Sequence, residues 1–290
     1  MKSSGMFLAL GLCLASPAVV LAQEVTMNPP KVLTVIREVE KPGKTNAHTE
    51  WETGYPRAFA KSNWPTYYIA LRAVSGEPRV LFMNGYDSMA EWEKDGAAQE
   101  KDAPLSAEMQ RLDPKDGDFL TETRRAILTY MPELSYHAEA PVAGTHYFMI
   151  TSIRVKPGHN EHFVEVRKLI KAAHEKANLS DRYAVFHFRL GVPSGSYAIF
   201  VPLKSSGDLD EFEAIHGKPY DDALGEDGRK KIEDFNREGL ESSESQLFVI
   251  SPKMSYPPKE WVAADPSFWA PKPAAKPSAK SGAKKAPEKK

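Results

Sequence analysis

Cysteine is almost absent from this 290-residue sequence, because the only one, Cys13, lies in an N-terminal segment with the features of a signal peptide. That segment has a basic residue, Lys2, a short apolar run at residues 6–15 and small residues before Gln23. Cleavage after residue 22 would remove Cys13 and leave no disulfide, thiol nucleophile or cysteine metal ligand. We therefore expect residues 1–22 to be a signal peptide and the protein to be periplasmic or secreted.

Long apolar runs are also lacking after the signal segment. No stretch there approaches the roughly 20 apolar residues that a membrane-spanning helix needs, so we expect no transmembrane segment after cleavage. The sequence has no Ser/His/Asp signature, no phosphate-binding glycine loop and no specific nucleic-acid motif. No function is therefore assigned from these motifs.

Basic residues are concentrated at the C-terminal end, although the whole chain has a formal net charge of −1. Residues 271–290 contain seven lysines and one acidic residue, Glu288, whereas the preceding body is acidic. A Lys/Pro/Ala segment with few apolar residues predicts a disordered tail. The tail could bind an anionic envelope polymer, or it could simply be a solvated tail that aids solubility.

A repeated turn organises the rest of the chain. Lys41-Pro42-Gly43 and Lys156-Pro157-Gly158 lie 115 residues apart, and each follows a strand pattern and precedes a helical one. Tyr68 and Tyr183 have the same spacing, and residues 128–136 match residues 248–256 at a spacing of 120. Agreement at several turns and at the end of each half predicts one structural unit written twice.

Each half has the pattern strand, helix, strand, strand, helix, strand. This order predicts the ferredoxin-like βαββαβ unit of the α+β class, an antiparallel sheet with helices on one face. We expect a lead-in at residues 23–31, units at 32–138 and 145–258, a linker at 139–144 and an aromatic extension at 259–270. Because the open face of each sheet must be covered, the units are expected to pack sheet-to-sheet as an intrachain α+β barrel.

A family resemblance supports this architecture. The stretch Val-Lys-Pro-Gly-His-Asn-Glu-His-Phe at residues 155–163 resembles the first strand–helix junction of the dimeric α+β barrel superfamily, which includes antibiotic-biosynthesis-type monooxygenases and NIPSNAP-like proteins. The resemblance covers residues 32–256 and implies a barrel formed within one chain. Members include cofactor-free oxygenases, haem-binding enzymes, isomerases and proteins without known activity, so the cofactor and the function stay open.

The first helix of the first half differs from its counterpart in the second half. Residues 159–178 form a regular amphipathic pattern, whereas Gly54 and Pro56 interrupt the pattern at residues 48–61 and predict a split helix. The cavity of such a unit is expected between the helices and the sheet, where aromatic walls suit a flat ligand. Alternatively these aromatic residues are ordinary core. The candidate ligand-binding residues of this half, together with His48, are Trp51, Tyr55, Trp64, Tyr68, Arg72 and Trp92.

In the second half, Tyr183 and His187 are predicted to share one face of a strand. Tyr183 is a further candidate ligand-binding residue. His48 and His187 are the candidate catalytic bases, and His187 could also coordinate a haem, because neutral imidazole accepts a proton or a metal near neutral pH. A hydrogen-bonded structural histidine is the simpler explanation of His187.

Histidines and carboxylates also cluster at the start of the second-half helix, at His159, Glu161, His162 and Glu165. We interpret these four residues as the solvated end of a helix and assign no metal site to them. The leading hypothesis is an exported barrel protein that binds a small apolar or aromatic molecule, without assured catalysis. The alternatives are a cofactor-independent monooxygenase or isomerase, and an envelope-associated interaction protein that uses its basic tail.

Overall fold

An eight-stranded closed barrel with helices packed around it dominates the structure, a computed structural model that describes residues 25–215 and 217–270. The strands are β1 Thr26–Met27, β2 Val32–Glu40, β3 Tyr68–Ala73, β4 Arg79–Tyr86, β5 Leu120–Tyr130, β6 Ala140–Pro141, β7 Tyr147–Val155, β8 Ala184–Leu190, β9 Ser196–Leu203 and β10 Leu240–Ile250. The helices are α1 Thr45–Glu52, α2 Gly54–Lys61, α3 Met89–Lys101, α4 Ala103–Asp116, α5 Asn160–Ala177, α6 Asp208–Ile215, α7 Lys218–Glu238, α8 Lys259–Ala264 and α9 Pro266–Trp269.

The strand order in the barrel is β10-β3-β4-β2-β5-β8-β9-β7, and β7 pairs with β10 to close it. The neighbouring strands are antiparallel throughout. The four strands of the first half are therefore contiguous, as are the four of the second half. The β5–β8 and β10–β3 pairings join the two sets, and closure leaves these eight strands without a free edge.

Alternating side chains divide each barrel strand into an interior and an outer face. On β2, Leu33 and Val35 belong to the apolar cluster inside the barrel, whereas Ile36 packs with Tyr68 and Phe82 on the outside. The interior cluster draws on all eight barrel strands. Its strand members include Leu33, Leu71, Leu81, Leu128, Phe148, Ala184, Phe200 and Phe248. The core of the molecule is thus the barrel interior, with separate apolar clusters under the helices.

The repeated turns require their glycines. Gly43 has φ 77° and Gly158 has φ 87°, in the left-handed region that a side chain disfavours. The predicted interruption of the first helix is confirmed, since α1 ends at Glu52 and α2 begins at Gly54. The counterpart α5 is continuous over Asn160–Ala177.

Two barrel strands are longer than the sequence predicts. The strand-forming residues at 126–130 and 247–250 predict the fourth strand of each half, but β5 begins at Leu120 and β10 at Leu240. The added residues are mostly exposed polar ones, and backbone pairing with β2 and β7 does not depend on side-chain polarity. The lead-in and the linker also pair with each other, as β1 and β6, which the sequence does not predict.

The C-terminal extension, residues 259–270, packs onto the barrel. Trp269 is only 4% exposed and joins the interior cluster, while Phe268 stacks on His146 with ring centroids 4.0 Å apart. The predicted signal peptide and the predicted basic tail lie outside the described residues. Within residues 25–215 and 217–270, no helix is long and apolar enough to cross a membrane.

Candidate functional site

A cavity of about 860 Å³ occupies one end of the barrel. Its floor consists of side chains from the interior faces of both halves of the barrel. These residues are Leu33, Ile69, Met83, Phe148, Ala184, Phe186 and Phe200. The cavity therefore lies inside the barrel mouth, rather than between α1 or α2 and the sheet, where the sequence analysis expected it.

Segments outside the barrel build the walls of this cavity. The lead-in residues 27–30, the loop 64–67, one face of α3 and Trp261 of α8 all line it. Gly85 lets the lead-in approach β4 closely, because a Cβ there would lie 2.8 Å from Cβ of Pro30. The N-terminal lead-in and the C-terminal extension thus meet at the same opening.

Asp95 of α3 organises the polar part of the wall. Its Oδ1 accepts hydrogen bonds from Trp64 Nε1 at 3.0 Å and Thr66 Oγ1 at 2.7 Å, and its Oδ2 accepts from Tyr86 OH at 3.0 Å. Burial, and then the Asp95 carboxylate, raises the pKa of Tyr86, so its hydroxyl remains a donor at neutral pH. This carboxylate fixes Trp64 against the loop that borders the cavity.

The opposite end of the barrel has a smaller cavity of about 370 Å³ with a charged mouth. Arg37, Arg79, Arg124 and Arg154 line it together with carboxylates. Arg37 forms ion pairs with Glu77, at 2.6 Å, and with Glu122. The two mouths thus differ in chemistry, and the apolar one suits an apolar or aromatic ligand.

A buried cluster of one histidine and four carboxylates lies on the outer face of the first half. Glu38 and Glu40 are two residues apart on β2, while His48 and Glu52 are four apart on α1 and therefore share one helix face. Asp116 at the end of α4 completes the cluster. The exposed fractions are 0% for His48 and no more than 8% for the four carboxylate residues.

The electrostatics of the cluster depend on burial and on the crowded carboxylates. Burial disfavours protonation of His48, but its neighbours, Asp116 first, outweigh this effect and raise the pKa of His48 to about 11. Burial and the charges of Asp116 and Glu38 raise the pKa of Glu52 to about 10. The surrounding carboxylates thus favour a proton on His48, and the mutual repulsion of the carboxylates favours a proton on Glu52.

Two other residues that were predicted to bind a ligand connect α1 and α2 to α4. Trp51 Nε1 donates to the carbonyl of Leu112 at 3.2 Å, and Tyr55 OH donates to Asp113 Oδ1 at 2.9 Å. Burial is the main cause that raises the pKa of Tyr55. Neither residue is among those that line the two cavities.

The remaining first-half candidates divide between the cavity and other surroundings. Trp64 and Tyr68 line the larger cavity, and within residues 25–215 and 217–270 the buried hydroxyl of Tyr68 has no hydrogen-bond partner. Burial raises the pKa of Tyr68 well above its ordinary value. Trp92 is 39% exposed on α3, and the half-buried Arg72 lowers the pKa of Glu40 as a minor contributor. The structure thus brings two of the six aromatic and arginine candidates together at the cavity.

Tyr183 and His187 lie on the outer side of the second half, and the predicted strand faces are confirmed. Tyr183 is 3% exposed, and the guanidinium of Arg167 lies 4.8 Å from its ring centroid. His187 stacks on Tyr197 with ring centroids 4.8 Å apart, and burial together with Arg189 lowers the pKa of His187. Neither residue lines a cavity, so the catalytic role of His187 stays a prediction, as does that of His48.

A haem held by histidine does not fit the larger cavity. The described residues that line it include neither a histidine nor a cysteine, so they offer no imidazole or thiolate as an axial ligand. The lining instead combines aromatic and aliphatic surfaces with a few hydroxyl and carboxylate groups.

Sequence reasoning missed two parts of this arrangement. The predicted cavity lies under the helices, so the prediction does not include the interior-facing Phe148, Phe186 and Phe200. The carboxylates around His48 are not predicted either. The available signal was the pair Glu38 and Glu40 on one face of an otherwise apolar strand, because buried carboxylates are rare without partners.

Solved structures provide the comparison with known proteins. A candidate monooxygenase from Fusobacterium nucleatum subsp. nucleatum ATCC 25586 is 12% identical with a TM-score of 0.52, over 77% of this chain and 94% of that one. An anthrone oxidase-like protein is 14% identical with a TM-score of 0.50, over 78% and 94%. A mutant chlorite dismutase from Candidatus Nitrospira defluvii is 11% identical with a TM-score of 0.48, over 83% and 97%.

The first two of these structures share the α+β barrel fold of this chain. At such low identity they show the fold alone, and not a common activity. No protein-family model and no curated protein sequence matches the chain.

Proposed function

We propose that the protein binds a small, mostly apolar or aromatic molecule in the larger barrel cavity. The observation that carries this proposal is a cavity of about 860 Å³ with a predominantly aromatic and aliphatic lining. Ligand sites of proteins typically enclose roughly 300–1,000 Å³ and combine apolar walls with a few polar groups. Here Tyr86, Thr66 and Asp95 supply the polar groups at one wall.

Ligand binding can be tested by fluorescence, because Trp64 and Trp261 both line the cavity. Menadione, 1-naphthol and haem serve as probes of a quinone, a phenol and a macrocycle. A ligand in the cavity should quench tryptophan emission and raise the melting temperature. Probes that change neither quantity in the wild-type protein would overturn the proposal.

A cavity-filling variant locates the bound molecule. Ala184 is 7% exposed and lines the cavity, so Ala184→Leu should place extra carbon atoms inside it and weaken binding by about tenfold or more. Ala60→Leu is the matched control, because Ala60 is exposed on α2. Equal loss of affinity in both variants would place the ligand elsewhere.

The second candidate is a cofactor-independent monooxygenase or isomerase. Its support is the fold shared with the candidate monooxygenase and the anthrone oxidase-like protein. The proposed bases are His48 and His187, and both lie outside the cavity lining. Oxygen consumption with a bound phenol or quinol, retained by Ala60→Leu and reduced by Ala184→Leu, would favour this candidate over simple binding.

We further propose that the barrel consists of two ferredoxin-like units in tandem, packed sheet-to-sheet. Support comes from corresponding hydrogen bonds at the end of each half. Ser135 Oγ accepts from the backbone N–H of Val185, and Ser255 Oγ accepts from that of Ala70, both at 2.9 Å. Each serine also donates to the carbonyl four residues earlier. The strand order is likewise the same in the two sets.

Export and a role for the basic tail complete the proposal. A signal sequence predicts that the mature protein begins at Gln23, which N-terminal sequencing of the exported protein would test. The third functional candidate is retention at an anionic envelope polymer through residues 271–290. If deletion of residues 272–290 leaves the envelope fraction unchanged, the tail has no such role.

A further inference from the structure

The buried cluster of the first half has the geometry of a metal site. His48 Nε2 lies 3.2 Å from Glu38 Oε2, 3.3 Å from Asp116 Oδ1 and 3.7 Å from Glu52 Oε1. The ligand atoms offered by these four residues all lie within 4.8 Å of one another. We propose that Glu38, His48, Glu52 and Asp116 bind one divalent first-row transition metal ion of the Mn²⁺ or Zn²⁺ type.

The spacing suits coordination by one nitrogen and three oxygen atoms. Bonds of about 2.1 Å in a tetrahedral arrangement separate neighbouring ligand atoms by about 3.4 Å. The three measured distances from His48 Nε2 fall close to this value. The widest pairs lie up to 4.8 Å apart, so the carboxylate side chains would have to move closer together around the ion.

The second ring nitrogen of His48, Nδ1, contacts a carboxylate, as the non-coordinating nitrogen of a metal-bound histidine commonly does. His48 Nδ1 donates to Glu40 Oε1 at 2.9 Å, and Glu40 Oε2 accepts a hydrogen bond from Thr45 Oγ1 at 3.0 Å. A carboxylate on Nδ1 fixes the ring orientation and directs Nε2 at the ion. Glu40 is therefore the residue that positions the ligand, while the other three carboxylates contact the metal.

An orphaned oxygen atom gives independent support. Asp116 is 6% exposed, and its Oδ1 faces His48 Nε2 at 3.3 Å without the geometry of a hydrogen bond and accepts no hydrogen bond from any other described residue. A carboxylate oxygen without a donor is costly inside a protein. A cation at the centre of the cluster would satisfy this oxygen.

The second half has apolar residues at two of the equivalent positions, although Arg167 stands at the position of Glu52. A shift of 115 residues places β2, Val32–Glu40, on β7, Tyr147–Val155. With the same shift, Glu40 corresponds to Val155 and His48 to Phe163, which are each 1% exposed and belong to an apolar cluster. A well-packed apolar core commonly replaces buried ionic groups without loss of stability, so the charged set indicates a separate role.

The site is closed, which favours a structural ion that is held rather than exchanged. Its four ligand residues are buried and come from β2, α1 and α4, so the ion would tie these elements together. An imidazole nitrogen favours transition metals over Mg²⁺ and Ca²⁺, which prefer oxygen ligands. None of the four residues lines the larger cavity, so this proposal does not depend on the proposed function.

Metal binding is tested on the full chain with variants that keep side-chain shape. After chelation and dialysis, titration calorimetry with MnCl₂ and ZnCl₂ should show one equivalent bound. A hundredfold excess over the dissociation constant should raise the melting temperature by about 5–10 °C. Glu52→Gln and Asp116→Asn should each weaken binding at least tenfold, whereas Glu50→Gln, an exposed neighbour on α1, should not.

X-ray absorption spectroscopy at the zinc edge, measured on the zinc-loaded wild-type protein, gives a readout that does not depend on variants. One nitrogen and three oxygen ligands at about 2.0–2.2 Å are expected in the first shell. The proposal fails if no equivalent binds, if Glu52→Gln and Asp116→Asn bind as the wild type does, or if the first shell holds two or more histidines. Equal stabilisation by MgCl₂ would overturn the assignment to a transition metal.

Discussion

Trp269 offers a stringent test of how the C-terminal extension is held. Its side chain is 4% exposed and packs against the barrel-interior cluster, 6.1 Å from the ring of Trp261. The indole Nε1–H is nevertheless buried and has no hydrogen-bond partner among the described residues. The ring should therefore stabilise the fold through its apolar surface, while its polar group opposes that contribution.

These two effects predict consequences of different size for two substitutions of Trp269. Trp269→Ala removes the whole ring and should lower the free energy of unfolding by about 3–5 kcal/mol. Trp269→Phe removes a smaller apolar area, which costs about 1 kcal/mol. It also removes an unsatisfied donor, whose burial costs about 1–3 kcal/mol. The phenylalanine variant should thus lie within about 1–2 kcal/mol of the wild type.

Urea unfolding followed by far-UV circular dichroism measures both free energies, and unchanged m-values would support a two-state comparison. Trp92→Ala is the matched control, because Trp92 is 39% exposed and its loss should cost little. If Trp269→Phe proves as damaging as Trp269→Ala, the indole N–H makes a stabilising contact and the reasoning is refuted.

The paired serines and Asp265 provide the other predictions. Ser135→Ala and Ser255→Ala each leave a buried backbone N–H unpaired. Each variant should lower the free energy of unfolding, measured in urea, by about 1–3 kcal/mol. An unchanged free energy in either variant would show that its hydrogen bond is dispensable. Burial alone would raise the pKa of Asp265. The hydrogen bonds that its carboxylate accepts from His146 and other donors outweigh this effect, so the pKa is lowered. The contribution of Asp265 is present above the unfolded pKa of about 3.9 and is lost as the pH falls through the lower folded value. Asp265→Asn should therefore flatten stability against pH in that acidic range, and an unaltered acid profile would contradict this assignment.

The sequence predicts the elements whose side chains follow a clear period. The break between α1 and α2 follows from Gly54 and Pro56, and the strand faces of β8 follow from the alternation around Tyr183. The polar starts of β5 and β10 escape prediction, because their exposed side chains carry no period and only backbone pairing makes them strands. The two-residue pair β1–β6 depends on tertiary contact, which local composition does not encode.

The candidate site is less predictable than the fold for a related reason. Helical spacing brings His48 and Glu52 together within one element, but Asp116 joins them from α4, over sixty residues later. The cavity similarly combines Met83 of the first half with Phe186 of the second, together with Trp261 of the extension. Spacing rules act within an element, whereas barrel closure decides which elements meet.

The two halves thus contribute differently to the two proposed sites. The cavity uses interior-facing residues from both sets of four strands, so a ligand bound there would stabilise the closed barrel as a whole. The histidine–carboxylate cluster lies outside the barrel in the first half alone, where the corresponding positions Val155 and Phe163 are apolar. Because the sites share no residue, a cavity variant such as Ala184→Leu should leave metal affinity unchanged, and Glu52→Gln should leave ligand affinity unchanged. Reciprocal loss would instead require coupling through β2, which provides Leu33 to the cavity and Glu38 to the cluster.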